Sequence, residues 1–451
     1  MTGGDFGLAW PHPLHDYQRQ GIARLAEGSL LLADEMGLGK TVQAIAALRV
    51  LGPEGLPALI VAPAGLVLQW RGQLRRWGPE LDPATVLGTA EERVAGWRRA
   101  ADVYLTSYDS LRQDMTLPAP HGPRHRLWAV VVADEAQRIK NARTDVAIIL
   151  KLLHRRRAWA LTGTPLENRA EDVISILDFV APGRFDQRRM MVGLRQLLDQ
   201  VQLRRRRVDV LPDLPPKTVF TIDPGLTPHQ RAAYDLAERE GLVWLRELGA
   251  QVRVSHVLEL LLRLKQLCNA AAETGESGKL DDLERRVTAL ATAQEKCLVF
   301  SQFVAQPFGV RAIAARLANF APLSLTGGQD AEERRAILAD FAADPARPVL
   351  ILSLRAGGVG LNLTAAATVF HFDRWWTAAV EAQAEDRVHR IGQTRPVQVF
   401  TYVCEGTVES RIAEIINGKR LMADLLVDGM DMGTLARWDL ADLLAAAGAG
   451  T

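Results

Sequence analysis

Only three cysteines occur among the 451 residues, Cys268, Cys297 and Cys404, with no CxxC pair and no His cluster beside them. That spacing argues against a disulfide framework or a Cys-rich zinc module and suits a reducing cytosol. Net charge is almost absent too: 54 basic residues oppose 53 acidic ones, formally +1. Any nucleic-acid surface must therefore arise from local clustering. No apolar run approaches the roughly 20 residues that span a bilayer, and no basic-then-apolar leader pattern opens the chain. The expectation is a soluble, cytoplasmic protein. Lysine is scarce, 8 against 46 Arg, which either suits bidentate phosphate contacts or reflects coding bias. Gly and Pro (36 and 22) stay well below the level of low-complexity disorder, and 48% apolar residues can build real cores. Two to four domains are expected at this length.

Short apolar runs alternate with longer amphipathic stretches, the pattern of parallel sheets covered by helices. Strand candidates in the first part are 30–33, 58–62, 103–106, 128–133 and 158–161. A second series runs 297–301, 322–326, 349–353, 368–372 and 397–403. Two α/β lobes follow. Between them the pattern turns helical, with Val257, Leu260, Leu261, Leu264 and Leu267 spaced along one helix face. The LPDLPPK stretch at 211–217 reads as an extended linker. The expected division is a first lobe at 1–184, linker and helical protrusions at 185–278, a second lobe at 279–430 and a tail at 431–451.

Chemistry concentrates in two motifs. DEMGLGKT at 34–41 follows an apolar strand and precedes a helical pattern. Backbone amides of such a loop, backed by a helix N-terminus, form a nest for phosphate oxygens. Asp34, Glu35, Met36, Gly37, Leu38 and Gly39 make up the loop; Lys40 is placed to reach the β- and γ-phosphates and Thr41 to hold Mg²⁺. Asp34 stands where the generic GxxxxGK[ST] pattern has its first Gly. The second motif is DEAQ at 134–137, ending a buried apolar strand. Adjacent carboxylates there are costly unless positive charge faces them. A nucleotide with Mg²⁺ supplies it, with Asp134 holding the metal directly or through water and Glu135 polarising the attacking water.

The order Gln18, DEMGLGKT, DEAQ, LTGTP at 161–165, AGGVGLNLT at 356–364 and DRVHRIGQ at 386–393 resembles the Swi/Snf-type DNA translocases of helicase superfamily two. The resemblance runs from Leu14 to about Ile416, with LRRRRVDV at 203–210, SGKL at 277–280 and GTVE at 406–409 as supporting matches. It implies two RecA-like lobes of parallel sheet flanked by helices, with small helical protrusions between them. It also implies ATP hydrolysis with Mg²⁺ and movement along double-stranded DNA without strand separation. A monomeric core and nucleoid association are further expectations, and whether a separate protein subunit supplies targeting stays open.

Carried over by position, Gln18 binds the adenine edge, where an amide both donates and accepts. Gln383, Arg387 and Arg390 share one face if their stretch is helical, and the arginines reach the γ-phosphate held by the other lobe. Gln137, Thr162, Gly163 and Thr164 couple the nucleotide to lobe closure. Gly358 and Asn362, in the Gly-rich stretch, approach phosphate of either nucleotide or DNA. Sequence-independent DNA contacts fall to Pro63, Trp70, Thr106, Ser107, Tyr108, Ser301, Gln302, Thr326 and Gly327. The run 204–207 is either a DNA contact or a solvated basic face. Two departures stand out. Gln137 replaces the usual His, and Arg374, Thr377 and Ala378 alter the DRWWTAAVE loop. Competing readings are a strand-separating DNA or RNA helicase and a slow ATP-dependent DNA clamp.

Overall fold

Continuous apolar runs such as WAVVVAD can be buried on both faces only inside a parallel sheet covered by helices, and two such sheets form. The computed structural model describes residues 6–163, 170–184, 198, 200–353, 363–376, 378–416 and 448. Gly358, Thr164 and Asn362 lie outside the described residues. The chain divides into two units, Met1–Pro212 and Asp213–Thr451.

Among the described residues the first unit holds seven strands: β1 (Leu30–Leu32), β2 (Ala58–Ala62), β3 (Pro83–Val86), β4 (Val103–Ser107), β5 (Trp128–Asp134), β6 (Arg155–Leu161) and β7 (Gln202–Leu203). Their order is β3-β4-β2-β5-β6-β1-β7, with every pairing parallel. β2, β4 and β5 are buried along their whole length. Trp97, Trp128, Ile176 and Phe179 fill the core on one side of this sheet. Parallel order sends the carboxyl ends of β1, β5 and β6 to one edge, which is where ligands gather in such sheets.

The second unit holds β8 (Lys217–Ile222), β9 (Cys297–Ser301), β10 (Leu323–Leu325), β11 (Val349–Ser353), β12 (Thr368–His371) and β13 (Val397–Tyr402). Their order is β10-β11-β9-β12-β13-β8, again all parallel. Helices Pro228–Leu248 and Val254–Asn269 pack together. Val257, Leu260, Leu261, Leu264 and Leu267 are all buried and share a core with Cys404, Val408 and Ile412. Three strands escape the pattern of apolar runs: β3, β7 and β8. β3 alternates half-buried and buried residues behind Pro83 and sits at an edge, where a missing N–H is tolerated. β8 is an edge strand with Val219 and Phe220 exposed. No described helix is long and apolar enough to cross a membrane.

Candidate nucleotide site

The loop after β1 turns through Gly37 (φ +87°) and Gly39 (φ +75°), left-handed values that side chains with a Cβ resist. Gly39 caps the helix Lys40–Leu51, so the first free N–H groups of that helix open toward the loop. A Cβ on Gly39 would lie 2.7 Å from Gln18 Nε2. Gln18 is buried; its Nε2 donates to Leu38 O (3.4 Å) and its Oε1 accepts from His15 N (3.1 Å). The Lys40 ammonium donates to the carbonyls of Asp34 (2.6 Å) and Glu35 (3.2 Å), lying along the loop it is expected to serve.

Both loop carboxylates are ion-paired. Asp34, fully buried, takes Arg205 Nε at 2.9 Å and Nη2 at 2.5 Å, plus Gln43 Nε2 at 3.1 Å. Glu35 pairs with Arg207 at 2.5 Å. Tyr17 also donates to Leu38 O (3.2 Å), and burial first, then the Asp34 charge, pushes its phenol well above the usual range. These partners escaped sequence reasoning, which left the arginine run between DNA and solvent. The signal was present: acidic residues inside a phosphate loop need counter-charges.

Asp134 ends β5 with its carboxylate held from two sides, by Trp70 Nε1 (2.7 Å) and by Glu135 N (3.0 Å). Tyr108 donates to its carbonyl at 2.7 Å. Glu135 adopts φ +50°, a strained setting for a non-glycine residue that recurs at functional sites. Its Oε2 accepts from Gln137 Nε2 (2.7 Å), and Gln137 Oε1 accepts from Thr162 Oγ1 (2.9 Å). An amide makes both bonds at once, donating at one end and accepting at the other. Gly163 then lies against the nucleotide loop, since a Cβ there would meet Met36 Cγ at 2.4 Å and Lys40 Nζ at 3.6 Å. The expected coupling residues thus form a series from Glu135 through Gln137 to Thr162, with Gly163 next in the chain and against the loop.

Side chains assigned to DNA from the sequence turn inward in several cases. Trp70, Thr106, Ser107, Tyr108 and Ser301 are buried. Thr106 donates to Val86 O, Ser107 caps the helix Tyr108–Asp114, and Ser301 donates to Asp373. The physical reason is that Thr106, Ser107, Tyr108 and Ser301 end or follow fully buried strands, while Trp70 lies on the buried face of the helix Ala64–Trp77. Pro63 caps the helix Ala64–Trp77, and the Thr326 backbone N–H donates to Gln329. Gly327 is exposed, while Gln302 is half-buried with its N–H on Asp373.

In the second unit Gln383 lies in the helix Ala378–Glu385, which stops before Arg387 and Arg390. The shared helix face expected for the three residues does not form. Beyond Glu385 the backbone bonds tighten, with Val388 N on Glu385 O and Gln393 N on Arg390 O. Glu385 is engaged by Lys217 at 2.6 Å and His371 at 3.4 Å, and Gln393 ties the turn to Ala366 O at 2.8 Å. Arg387 is buried and Arg390 half-buried. The unusual Arg374 forms a buried two-bond pair with Glu381. Lys279 of SGKL and Glu409 of GTVE meet in a fully buried pair at 2.5 Å, joining two motifs that are 130 residues apart.

Residues 17–273 match the SNF2-related domain, and residues 278–392 match the helicase conserved C-terminal domain. The chain belongs to the SNF2-related family. It is 32% identical to an uncharacterized ATP-dependent helicase of Mycoplasma genitalium, over 94% of this chain and 42% of that protein. It is also 32% identical to a putative ATP-dependent helicase/translocase of Bacillus subtilis, over 92% of this chain and 49% of that protein. The chain therefore spans about half the length, or less, of these relatives. Among solved structures, the Sulfolobus solfataricus SWI2/SNF2 ATPase core in complex with dsDNA is 30% identical with a TM-score of 0.44, covering 93% of this chain and 94% of that one.

The acidic pair of this SNF2-related site fits a divalent cation. Burial, followed by the charge of Glu135, pushes the Asp134 carboxyl up to about 7, against the pull of its hydrogen bonds from Trp70 and Glu135 N and the charge of Lys40. A dication offsets both burial and repulsion. Without metal, the folded chain keeps a proton on Asp134 that the unfolded chain releases near its ordinary 3.8. Ionisation of Asp134 thus opposes folding, and its contribution to stability declines as pH rises from about 4 to about 7. Asp134→Asn cannot ionise and escapes that decline. In EDTA its thermal midpoint, relative to wild type, should climb between about pH 5 and about pH 7.5. A difference that stays constant across this range contradicts the assignment.

Proposed function

We propose that the chain is a motor that couples ATP hydrolysis to movement along double-stranded DNA, remodelling protein–DNA complexes without separating the strands. The observation that carries the reading is the bonded series Glu135–Gln137–Thr162, whose next residue, Gly163, abuts the nucleotide loop. It gives the γ-phosphate environment a physical route to a second element, as a conformational cycle requires. Lys40 and the loop amides bind the phosphates, Glu135 orients water, and Mg²⁺, held by Thr41 and Asp134, offsets charge on the phosphates. Gln18 takes the adenine edge. Arg387 and Arg390, in the DRVHRIGQ stretch, supply positive charge to the γ-phosphate, with Gln383 nearby in sequence. DNA is gripped through backbone groups of loops such as 63–66 and 326–328, since so many of the assigned side chains are internally committed.

The deciding experiment compares ATPase rates with no nucleic acid, duplex DNA, single-stranded DNA and RNA, alongside triplex displacement. Duplex-specific stimulation with third-strand displacement is expected. Unwinding of a tailed duplex supports a strand-separating helicase instead, and slow hydrolysis indifferent to DNA supports a clamp. Arg390→Ala should lower duplex-stimulated turnover by about 10³-fold, the scale of an arginine finger, while leaving nucleotide affinity largely intact. Full turnover by this variant removes Arg390 from its role.

A further inference from the structure

The nucleotide loop presents a problem of charge. Two consecutive acidic residues, Asp34 and Glu35, precede the glycines of a loop proposed to hold a triphosphate. Free carboxylates at that place repel the ligand the loop is built to attract. The structure deals with each acid separately, through segment 203–207, which runs on from β7. Ala33 N donates to Leu203 O (2.8 Å) and Glu35 N to Arg205 O (2.9 Å), so the segment continues parallel strand pairing alongside the loop. Strand-like alternation turns Arg205 and Arg207 inward and leaves Arg204 and Arg206 exposed.

Arg205 is locked in the interior. Besides Asp34, it donates to Gln43 Oε1 (2.8 Å) and to the Tyr17 carbonyl, and its guanidinium lies 5.3 Å from the Tyr17 ring centre. Arg207, itself buried, holds the more exposed of the two acids. Its Nε (2.8 Å) and Nη2 (2.5 Å) both donate to Glu35 Oε1, while its backbone N–H donates to Oε2 at 2.7 Å. Three donors therefore fix one carboxylate whose side chain is still 36% exposed. Past Arg207 the chain runs through the short helix Arg207–Val210 and a proline-rich stretch to Lys217 at the start of β8.

We infer that Arg207 is a positioning residue for nucleotide binding: it neutralises Glu35 and holds it in place, so that the loop offers amides and Lys40, rather than a free carboxylate, to the triphosphate. The inference rests on the reading of the loop as the ATP site. It also assigns a member of the arginine run to the nucleotide and not to DNA.

The test uses the full chain and steady-state ATP hydrolysis, with binding of a fluorescent methylanthraniloyl ATP in parallel. Arg207→Ala should raise KM and the analogue's Kd by about tenfold with little change in kcat, the pattern of lost ground-state binding. Its thermal midpoint should move by only a few degrees, because the pair is partly solvated. Adding Glu35→Gln to Arg207→Ala should return KM to near the wild-type value, since the liberated charge is gone. An unchanged KM in Arg207→Ala, or a raised KM that Glu35→Gln does not reverse, overturns the inference. Lys40→Ala serves as the control. If wild-type binding of the analogue is indifferent to Lys40→Ala, the nucleotide-site reading itself falls and takes the inference with it. If Lys40→Ala abolishes binding and Arg207→Ala does not weaken it, the inference alone fails.

Discussion

Lys40→Ala should reduce duplex-stimulated ATP hydrolysis by at least about 10²–10³-fold, the usual cost of deleting a donor aimed at developing charge in a water-poor site. The geometry explains why so much rests on one ammonium. Gly39 turns the chain into the helix at a left-handed φ, so the next residue projects from the first turn of that helix. The Nζ already lies on the carbonyls of Asp34 and Glu35, which places positive charge inside the loop before any ligand arrives. Alanine leaves the carbonyl of half-exposed Glu35 to water, while the carbonyl of buried Asp34 loses its charged donor at a cost of about 1–3 kcal/mol. The variant should therefore fold with a moderately lowered thermal midpoint while phosphate release and analogue binding collapse together. Full turnover by the purified variant would falsify the assignment of the loop.

How much of this was legible beforehand depends on what each residue's neighbours were. Strands β2, β5, β9 and β11 read directly from the sequence, because burial on both faces demands an unbroken apolar run. Edge strands face no such demand. β8 opens with Lys217 and exposes Val219 and Phe220, so hydropathy has nothing to detect. The phosphate loop and the DEAQ pair are local motifs, and the structure sets them at the ends of β1 and β5. Trp70 and Tyr108 show where local reading stops. An aromatic residue just beyond a strand end, like Tyr108, or on the helix that follows, like Trp70, can face a cleft or the core, and only the fold reveals that both turn toward Asp134. The Lys279–Glu409 pair and the Arg205–Asp34 pair join residues 130 and 171 positions apart. Nothing in either neighbourhood names its partner. The helical reading of 383–390 fails for a similar reason: Glu385 is drawn to Lys217 and His371, contacts supplied by other strands.

Glu135→Gln separates binding from chemistry more cleanly than any other substitution at this site. Glutamine keeps the size of the side chain, and its carbonyl can still accept from Gln137 Nε2, so the series to Thr162 survives. What is lost is the negative charge that would orient and polarise water. Hydrolysis should fall by about 10²–10⁴-fold, the range for a removed general base. Removing that charge also relieves Asp134, whose carboxyl is pushed up in part by Glu135. Asp134 then ionises more readily and stays available to a divalent cation, although the local negative charge falls. The variant should bind ATP about as tightly as wild type, hydrolyse it slowly, and accumulate as a DNA-bound complex. Single-turnover phosphate release read beside analogue affinity checks both halves. An unchanged rate withdraws Glu135 from catalysis. Loss of affinity in parallel with rate shows instead that the Glu135 charge itself supports nucleotide binding.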